Sequence, residues 1–461
     1  MQASMFRWSI CASLLILVLA GWCSASPPNI IYILADDMGY GDLSCFGQST
    51  LKTPNLDRMA TEGMRFTQYY AGSTVCAPSR CTLLTGLHTG HCRIRGNAMG
   101  SILTDEDVTI AQLLKKAGYA TGCVGKWGVG APPPLNDPEL RGFDHFYGYI
   151  SMWHAHNFYP EFVICNGKQV PLRNEVPKNE KWTDGRGVAT KRVDYVPELV
   201  TGEALEFIER NKNRPFFLYF AMNVPHANNE AGKKGMEVPD WGEFAARNWP
   251  EPEKGFASMI RNIDADVGRV LKKLKALGLE ENTLVIFTSD NGPHQEGGHM
   301  ADHFDSNGPL RGIKRDVYDG GVRVPMIARW PGKVPAGKTS DHISAFWDML
   351  PTFCELAGTE VPERTDGISI VPTLLGQSDK QKKHEYLYWE FYEKGGRIAV
   401  RLGDYKGVRM NVAKNPDAPV ELYKVTEDLG EVKNIAADHP QVVARIREIM
   451  EEAHTPPEET E

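Results

Sequence analysis

The chain has 461 residues and a formal net charge of −8 at pH 7, and 42% of its residues are hydrophobic. This length exceeds the roughly 50–250 residues of an ordinary domain, so we expect one large core and a smaller C-terminal unit. An acidic chain has no overall basic field, and we therefore expect no nucleic-acid partner and no electrostatic attraction to an anionic membrane.

The first 25 residues have the pattern of a secretory signal peptide. Arg7 precedes an uncharged run of 14 residues from Ser9 to Trp22, and small residues follow at 24–26. A membrane-spanning helix needs roughly 20 apolar residues, so the run is too short to be one. We expect an exported protein, periplasmic or secreted, without a stable membrane anchor.

Short apolar runs alternate with amphipathic segments along the chain. Four unbroken runs, typical of strands buried on both faces, lie at 29–37, 214–222, 282–290 and 323–330. Helices are predicted at 107–118 and over a 3.6-residue stripe from Phe256 to Leu277, which Gly278 ends. The order strand, helix, strand predicts an α/β fold with a large, doubly wound, mainly parallel sheet flanked by helices.

The chain from about residue 380 predicts a smaller unit of different character. Alternating apolar residues indicate an antiparallel sheet with hairpin turns at Gly395-Gly396 and Gly403-Asp404, and a helix is predicted at 440–453. The polar, acidic end is predicted to fray. The expected division is a signal peptide at 1–25, a main domain at 26–379 and a C-terminal subdomain at 380–461.

Two of the predicted strands end on oxygen-bearing side chains. Asp36 and Asp37 close the first strand, and Asp290 and Asn291 close the third. If these strands are neighbours, the four side chains meet at one edge of the sheet, where functional groups are expected. Hard oxygen ligands suit Ca²⁺ or Mg²⁺. Each pair alone is also a good turn sequence, and their joint placement favours the metal site over that alternative.

Cys76 lies in the stretch STVCAPSRCTLLTG, where Pro78 suits the first turn of a helix that runs to Gly86. A helix N-terminus attracts anions. A phosphatase-type thiolate nucleophile needs an arginine six positions after the cysteine, but this chain has Thr82 there. A small buried cysteine is the commonest alternative, yet it does not account for the Pro-Ser-Arg that follows.

The stretch CAPSR followed by TLLTG resembles the signature of the type I sulfatases, in the alkaline-phosphatase-like superfamily. In that family the cysteine is oxidised to Cα-formylglycine by a formylglycine-generating or radical maturase before folding. The resemblance extends in order over nearly the whole chain through the segments ADDMGYGDLSCFG, GKWGVG, RGFDHFYGY, NVPHAN, TSDNGPH and GIKRDVYDGGVRVP. It implies a sulfuric ester hydrolase with a catalytic domain at 26–379.

The resemblance also implies a mechanism of covalent catalysis by the hydrated aldehyde. One hydroxyl attacks sulfur, and the other expels sulfate by re-forming the aldehyde. The implied ligands of one calcium ion (Ca²⁺) are Asp36, Asp37, Asp290, Asn291 and the modified Cys76.

The other implied catalytic residues surround the sulfate. Arg80 is expected to hold the formylglycine hydroxyl, and Lys126 and Lys314 are expected to contact sulfate oxygens. His226 is expected to interact with the leaving oxygen, where a positioned acid contributes roughly 10²–10⁴ in rate.

Many sulfatases have a histidine in the segment Gly-Lys-Trp-His, but this chain has Gly128 at that position. Either the site is remodelled or another imidazole fills the space. The nearby segment SMWHAHNFYP offers His154 and His156, and we expect His154 to fill it. In the alternative, both histidines line a glycan pocket or the surface.

The expected substrate is a sulfated saccharide, with a preference for a galactose or N-acetylgalactosamine sulfate. The segment MWHAHNFYP offers Trp153, Phe158 and Tyr159 to stack on sugar faces and Asn157 to bond hydroxyls, although the aromatics could equally pack in the core. The alternatives are a broad arylsulfatase, a phosphate or phosphonate monoester hydrolase of the same superfamily, and a non-catalytic glycan-binding relative. Zinc-dependent members usually have Asp-His where this chain has Asp290-Asn291, which favours one hard ion.

Overall fold

The computed structural model describes residues 27–98, 102–130, 138–179, 182 and 184–456. The predicted signal peptide at 1–25 lies outside the described residues. Among the helices of the described ranges, none has both the length and the apolar character needed to cross a membrane.

The elements alternate along most of the chain. The strands are β1 (Asn29–Ala35), β2 (Met64–Tyr70), β3 (Ala120–Lys126), β4 (His145–Tyr149), β5 (Phe162–Cys165), β6 (Lys168–Pro171), β7 (Phe216–Ala221), β8 (Thr283–Ser289), β9 (Arg323–Arg329), β10 (Lys338–Ser340), β11 (Ser344–Ala345), β12 (Leu387–Phe391), β13 (Arg397–Leu402), β14 (Tyr405–Met410) and β15 (Glu421–Lys424). The α-helices are α1 (Pro54–Thr61), α2 (Cys76–Thr85), α3 (Ile110–Lys116), α4 (Val196–Arg210), α5 (Glu251–Ala276), α6 (Asp319–Val322), α7 (Met349–Ala357), α8 (Val371–Leu374) and α9 (Pro440–Glu452).

The main sheet has 11 strands in the order β10-β2-β9-β8-β1-β7-β3-β4-β5-β6, with β11 beside β2. At its centre β1 is parallel to both β7 and β8, and β3 is parallel to both β7 and β4. The four predicted strand runs correspond to β1, β7, β8 and β9. The mainly parallel sheet is therefore confirmed, although β9 runs antiparallel to both β2 and β8.

Both faces of the central strands are buried, as their unbroken apolar sequences predict. In β1, Tyr32 and Leu34 join one hydrophobic cluster, while Ile31 and Ile33 join the other. Helices α2, α3 and α7 cover the first face, and α1, α4 and α5 cover the second. Helix α3 starts later than predicted because Thr109 caps it, accepting from the Gln112 N–H at 3.2 Å.

The second sheet has the antiparallel order β12-β13-β14-β15. Its hairpin turns fall at the two predicted glycine positions, between β12 and β13 and between β13 and β14. One face packs on the main domain, where the Trp389 indole N–H donates to the Ala71 carbonyl at 2.9 Å. The other face packs on α9 through Ile446 and Ile449. The boundary between residues 379 and 380 stays a prediction.

Candidate active site

The carboxyl ends of β1 and β8 lie side by side because these strands are parallel neighbours, with Ala35 opposite Ser289. The Asp37 backbone N–H donates to Asp290 Oδ1 at 3.0 Å, and Asn291 Nδ2 donates to Asp37 Oδ1 at 2.7 Å. Asp36 shares this edge, and all four side chains are fully buried. The structure thus brings together the four oxygen-bearing residues that the sequence singles out.

Two buried cations lie against this carboxylate group. Arg80, on α2, donates to Asp290 Oδ2 through Nε at 3.1 Å and through Nη2 at 2.8 Å. Lys126, the last residue of β3, donates from Nζ to Asp36 Oδ2 at 2.7 Å. Its carbonyl accepts from Arg80 Nη1 at 2.7 Å. A charged group that is buried away from water needs a partner of opposite charge. These contacts connect α2 and the ends of β1, β3 and β8.

A third cation, Lys314, lies at the centre of a second group of contacts. Its Nζ is 2.7 Å from Asp37 Oδ2, 2.9 Å from Glu296 Oε2 and 3.1 Å from His226 Nε2. An ammonium can only donate, so His226 Nε2 accepts and the neutral ring carries its proton on Nδ1, which lies 2.7 Å from the Ala227 carbonyl. Burial and the Lys314 charge lower the pKa of His226 to about 3, in agreement with that neutral form.

The carboxyl groups of the site divide into two kinds. Burial alone would raise the pKa of Asp36, but the charges of Lys126 and Arg80 hold it well below its usual range. Burial raises the pKa of Asp290 to about 7, and the neighbouring Asp36 charge adds to this, despite Arg80. The mutual repulsion of these carboxylates would be relieved by a divalent cation among them.

The donor set fits a hard metal ion. Asp36 Oδ1 and Asn291 Oδ1 are buried and have no hydrogen-bond partner among the described residues. Buried polar atoms without partners are rare, and they usually mark a bound ion, a water or a functional site. Three carboxylates and an amide oxygen are the ligands that Ca²⁺ and Mg²⁺ prefer.

Cys76 is the first residue of α2 and lies next to the cations. Its side chain is buried, and it lies close enough to Arg80, Lys126 and Lys314 to interact electrostatically with each of them. The Val75 side chain makes no cap hydrogen bond to the helix. An anion at residue 76 would therefore meet three cations and a helix N-terminus.

Gly128 lies directly against two of these cations, with little room for a side chain. A Cβ at this position would lie 3.0 Å from Arg80 Cδ and 3.7 Å from Lys126 Cε, and the backbone φ is +78°. Any side chain here would enter the site, and it would also need a left-handed backbone that favours glycine.

The structure places His156 beside His226 and leaves the expected His154 elsewhere. The His156 ring stacks on the His226 ring with centroids 4.8 Å apart, and its Nδ1 is 3.2 Å from Glu230 Oε2. His154 instead packs against the rings of Tyr149 and Phe162, and burial lowers its pKa to about 4. The two histidines diverge because both lie on one 3₁₀ turn, where residues two apart point about 120° from each other.

The aromatic residues of the same segment also divide. Phe158 and Tyr159 are buried in the core, and Asn157 is buried with them, so the core-packing alternative applies to these three. Trp153 is only partly buried, and the guanidinium of Arg186 lies 4.7 Å from the centre of its indole ring.

A second convergent group, His88, His91 and Asp366, lies outside the site. His88 Nδ1 accepts from the Gly90 N–H at 3.1 Å, so the neutral ring carries its proton on Nε2. That nitrogen faces Asp366 at 3.7 Å, and His91 Nδ1 lies 2.9 Å from the same carboxylate. His88 therefore presents a proton, not a lone pair, to the centre of the group, which is a hydrogen-bonded cluster and not a second metal site.

Three residues near the site were not predicted from the sequence, namely Asn97, Glu230 and Glu296. Asn97 and Glu296 lie on loops, and Glu230 lies on a 3₁₀ helix at Asn229–Lys234. Their contacts with the site depend on how these short irregular segments fold back. Glu296 alone carries a faint sequence signal, because it follows the predicted Asp290-Asn291 strand end by a few residues.

Comparisons with known proteins agree on one family. The family model described as Sulfatase matches residues 28–359, and the model described as N-sulphoglucosamine sulphohydrolase, C-terminal, matches residues 313–455. N-acetylgalactosamine-6-sulfatase of Canis lupus familiaris is 34% identical over 423 residues, which cover 85% of this chain and 74% of that protein. Arylsulfatase A of Homo sapiens is 32% identical over 488 residues, which cover 95% and 90%.

A solved structure extends the similarity to the whole fold. Ps i-CgsB in complex with k-i-k-neocarrahexaose matches with a TM-score of 0.78 and 27% sequence identity, and the match covers 94% of each chain. The main sheet and the C-terminal sheet therefore both lie within the matched region.

Proposed function

The chain belongs to the sulfatase family of sulfuric ester hydrolases, and from that premise we propose that it removes sulfate from a sulfated saccharide. The observation that carries the proposal is the group of three buried cations near Cys76. Arg80, Lys126 and Lys314 each interact electrostatically with that residue inside an acidic protein, and an oxygen-rich group that suits a hard cation lies beside them.

In this proposal the nucleophile is a formylglycine made from Cys76. The Cys76 side chain is 2% exposed in the folded chain, so a maturase would have to reach it before folding is complete. The predicted signal peptide at 1–25 and export to the periplasm or the medium belong to the same proposal.

We propose that Asp36, Asp37, Asp290 and Asn291 hold one Ca²⁺ together with residue 76. When bound, this ion would polarise the sulfate and lower the pKa of the attacking hydroxyl. Asp36 Oδ1 and Asn291 Oδ1 support this role, since both are buried without a hydrogen-bond partner among the described residues.

The remaining roles follow from the contacts of each side chain. The ammonium groups of Lys126 and Lys314 would donate hydrogen bonds to sulfate oxygens. Arg80, one helical turn after residue 76 on α2, would hold the hydroxyl of that residue. His226 would exchange a proton with the leaving oxygen at Nε2, the nitrogen that faces Lys314 at 3.1 Å. Because that nitrogen is an acceptor in the neutral ring, His226 must gain a proton before it can donate one.

The saccharide class rests on the relatives and on one edge of the site. The name N-acetylgalactosamine-6-sulfatase and the saccharide bound to Ps i-CgsB both favour a sulfated sugar. Trp153 is partly exposed and lies three residues before His156, which contacts Glu230, and a sugar face could stack on its indole ring. We propose a galactose or N-acetylgalactosamine sulfate, with His156 as the candidate substrate-binding residue. The other expected histidine, His154, packs against Tyr149 and Phe162 and is left out of this role.

A panel of esters tests this function. Monosulfated galactose and N-acetylgalactosamine isomers, 4-methylumbelliferyl sulfate and 4-methylumbelliferyl phosphate would be compared by kcat/KM. We expect one sulfated sugar to exceed the aryl sulfate, and the aryl sulfate to exceed the aryl phosphate. An aryl sulfate turned over faster than every sugar would indicate a broad arylsulfatase, and a preferred phosphate would indicate a phosphate monoester hydrolase.

A further inference from the structure

Asn97 contacts the start of α2 through both ends of its amide group. Its Oδ1 accepts from the Ala77 backbone N–H at 3.1 Å, and its Nδ2 lies 3.3 Å from Cys76 Sγ. The same Sγ is 3.8 Å from Asn97 Oδ1, so the amide nitrogen is the nearer atom to the sulfur. A backbone N–H can only donate, so the first contact fixes which end of the amide faces the helix. The NH₂ group therefore faces the side chain of residue 76.

These contacts replace the missing local cap of the helix. The residue before α2 is Val75, whose side chain cannot accept a hydrogen bond, and the first N–H groups of a helix have no partner within it. Asn97, 20 residues away from Ala77, supplies that acceptor. Asn97 is partly exposed, whereas Cys76 is buried.

The loop that carries Asn97 is held by the C-terminal unit. Arg95 is buried, and its Nη1 donates to Glu390 Oε1 on β12 and to the Thr455 carbonyl beyond α9, both at 2.7 Å. Its Nε donates to the Cys92 carbonyl at 2.9 Å. Arg95 thus fixes the backbone two residues before Asn97. Through Arg95 and Asn97, the C-terminal unit is connected to residue 76.

We propose that Asn97 is a positioning residue for the nucleophile: its amide oxygen caps α2, and its NH₂ group orients residue 76 for attack. This inference rests on the proposed function, in which Cys76 Sγ stands where a hydrated formylglycine has its hydroxyl groups. A donor at this distance would bind one hydroxyl and leave the other to face the sulfur. Without it the two hydroxyls could exchange places by rotation, and fewer encounters would be productive.

Two substitutions separate the cap from the donor. Asn97→Asp keeps an acceptor for the Ala77 N–H, and its negative charge is favourable at a helix N-terminus, but it removes the donor. Asn97→Ala removes both. The variants would be compared by Tm, by formylglycine content from peptide mass spectrometry, and by kcat and KM for 4-methylumbelliferyl sulfate.

We expect Asn97→Asp to keep or raise the wild-type Tm and Asn97→Ala to lower it by a few degrees. Both variants should keep the wild-type formylglycine content and lose at least about tenfold in kcat, in the range seen when a single active-site donor is removed. In Asn97→Ala, KM should change by less than about threefold, because orientation of the nucleophile affects the chemical step more than ground-state binding.

Asn434 is the matched control. Like Asn97 Oδ1, its Oδ1 accepts from the backbone, in this case from the N–H groups of Leu422 at 3.1 Å and Ala436 at 3.0 Å in the C-terminal unit. Asn434→Ala should lower Tm and Asn434→Asp should lower it less or not at all, as for Asn97. Both Asn434 variants should keep the wild-type kcat.

Wild-type kcat in Asn97→Asp at normal formylglycine content would overturn the donor role, and wild-type Tm in Asn97→Ala would overturn the cap. Loss of formylglycine in parallel with kcat would also overturn the inference, since the effect would then arise in maturation. If the wild type hydrolyses no sulfate ester, the proposed function fails, but the Tm values still test the contact between Asn97 and Ala77.

Discussion

Arg80 donates two hydrogen bonds to Asp290 Oδ2, at 3.1 Å from Nε and 2.8 Å from Nη2, and neither side chain is exposed to solvent. Arg80 lies four residues after Cys76, one turn along α2. The helix that presents the proposed nucleophile is thereby joined to the end of β8, where the oxygen-bearing side chains meet.

Arg80→Lys should lower kcat/KM by at least about 100-fold and also lower Tm. A lysine cannot reproduce the two-bond contact, and breaking a buried ion pair typically costs about 3–5 kcal/mol. Arg173→Lys is the control, because Arg173 makes the same kind of contact with Asp194 at an exposed position and should change neither value. Wild-type turnover in Arg80→Lys would show that the contact is dispensable.

Calcium should stabilise the wild-type protein after dialysis against EDTA. A ligand that binds only the folded state raises stability as its concentration exceeds Kd, so Tm should rise with added Ca²⁺ and activity should return. Asn291→Ala removes an uncharged ligand and should abolish the Tm rise. Recovery with Zn²⁺ but not with Ca²⁺ would refute the assignment of a single hard ion.

The outcomes for the site show which parts of it follow from sequence. The convergence of Asp37 and Asp290 was predictable, because unbroken apolar runs identify buried parallel strands and the ends of neighbouring parallel strands share an edge. The direction of β9 was not, since an apolar run has the same composition in either orientation. The choice between His154 and His156 depends on the phase of one short 3₁₀ turn, which has no periodic signal. Asn97 reaches Ala77 only through the folding of a loop.

His156→Ala should lower kcat/KM by about tenfold or more with little change in Tm, because His156 stacks on His226 at the active site. His154→Ala should do the reverse. It empties a buried space between Tyr149 and Phe162, so Tm should fall while kcat stays near the wild-type value. The opposite pattern would restore the sequence-based expectation that His154 is the active-site imidazole.

Asp42 should make folding stability depend on pH. Burial raises the pKa of Asp42 to about 7, from an ordinary value of 3.8, and the Gly39 N–H that donates to it at 2.7 Å does not offset this. The folded state therefore binds the proton more tightly than the unfolded state does. This contribution is complete below about pH 4 and is lost as the pH rises through 7.

Asp42→Asn keeps the shape and stays neutral at every pH. Urea unfolding of both proteins should show similar stability near pH 4, and a gain for the variant at pH 8 of up to about 1.4 kcal/mol per unit of pKa difference. A variant-minus-wild-type difference that is the same at both pH values would contradict the direction of the Asp42 shift.

The most direct test of the central claim is the mass of the peptide containing residue 76, measured on fully active protein from a host with the maturation machinery. We expect an aldehyde in place of the thiol, with activity proportional to the modified fraction and absent in a stably folded Cys76→Ala variant. An unmodified thiol at residue 76 in protein with full sulfatase activity would contradict it.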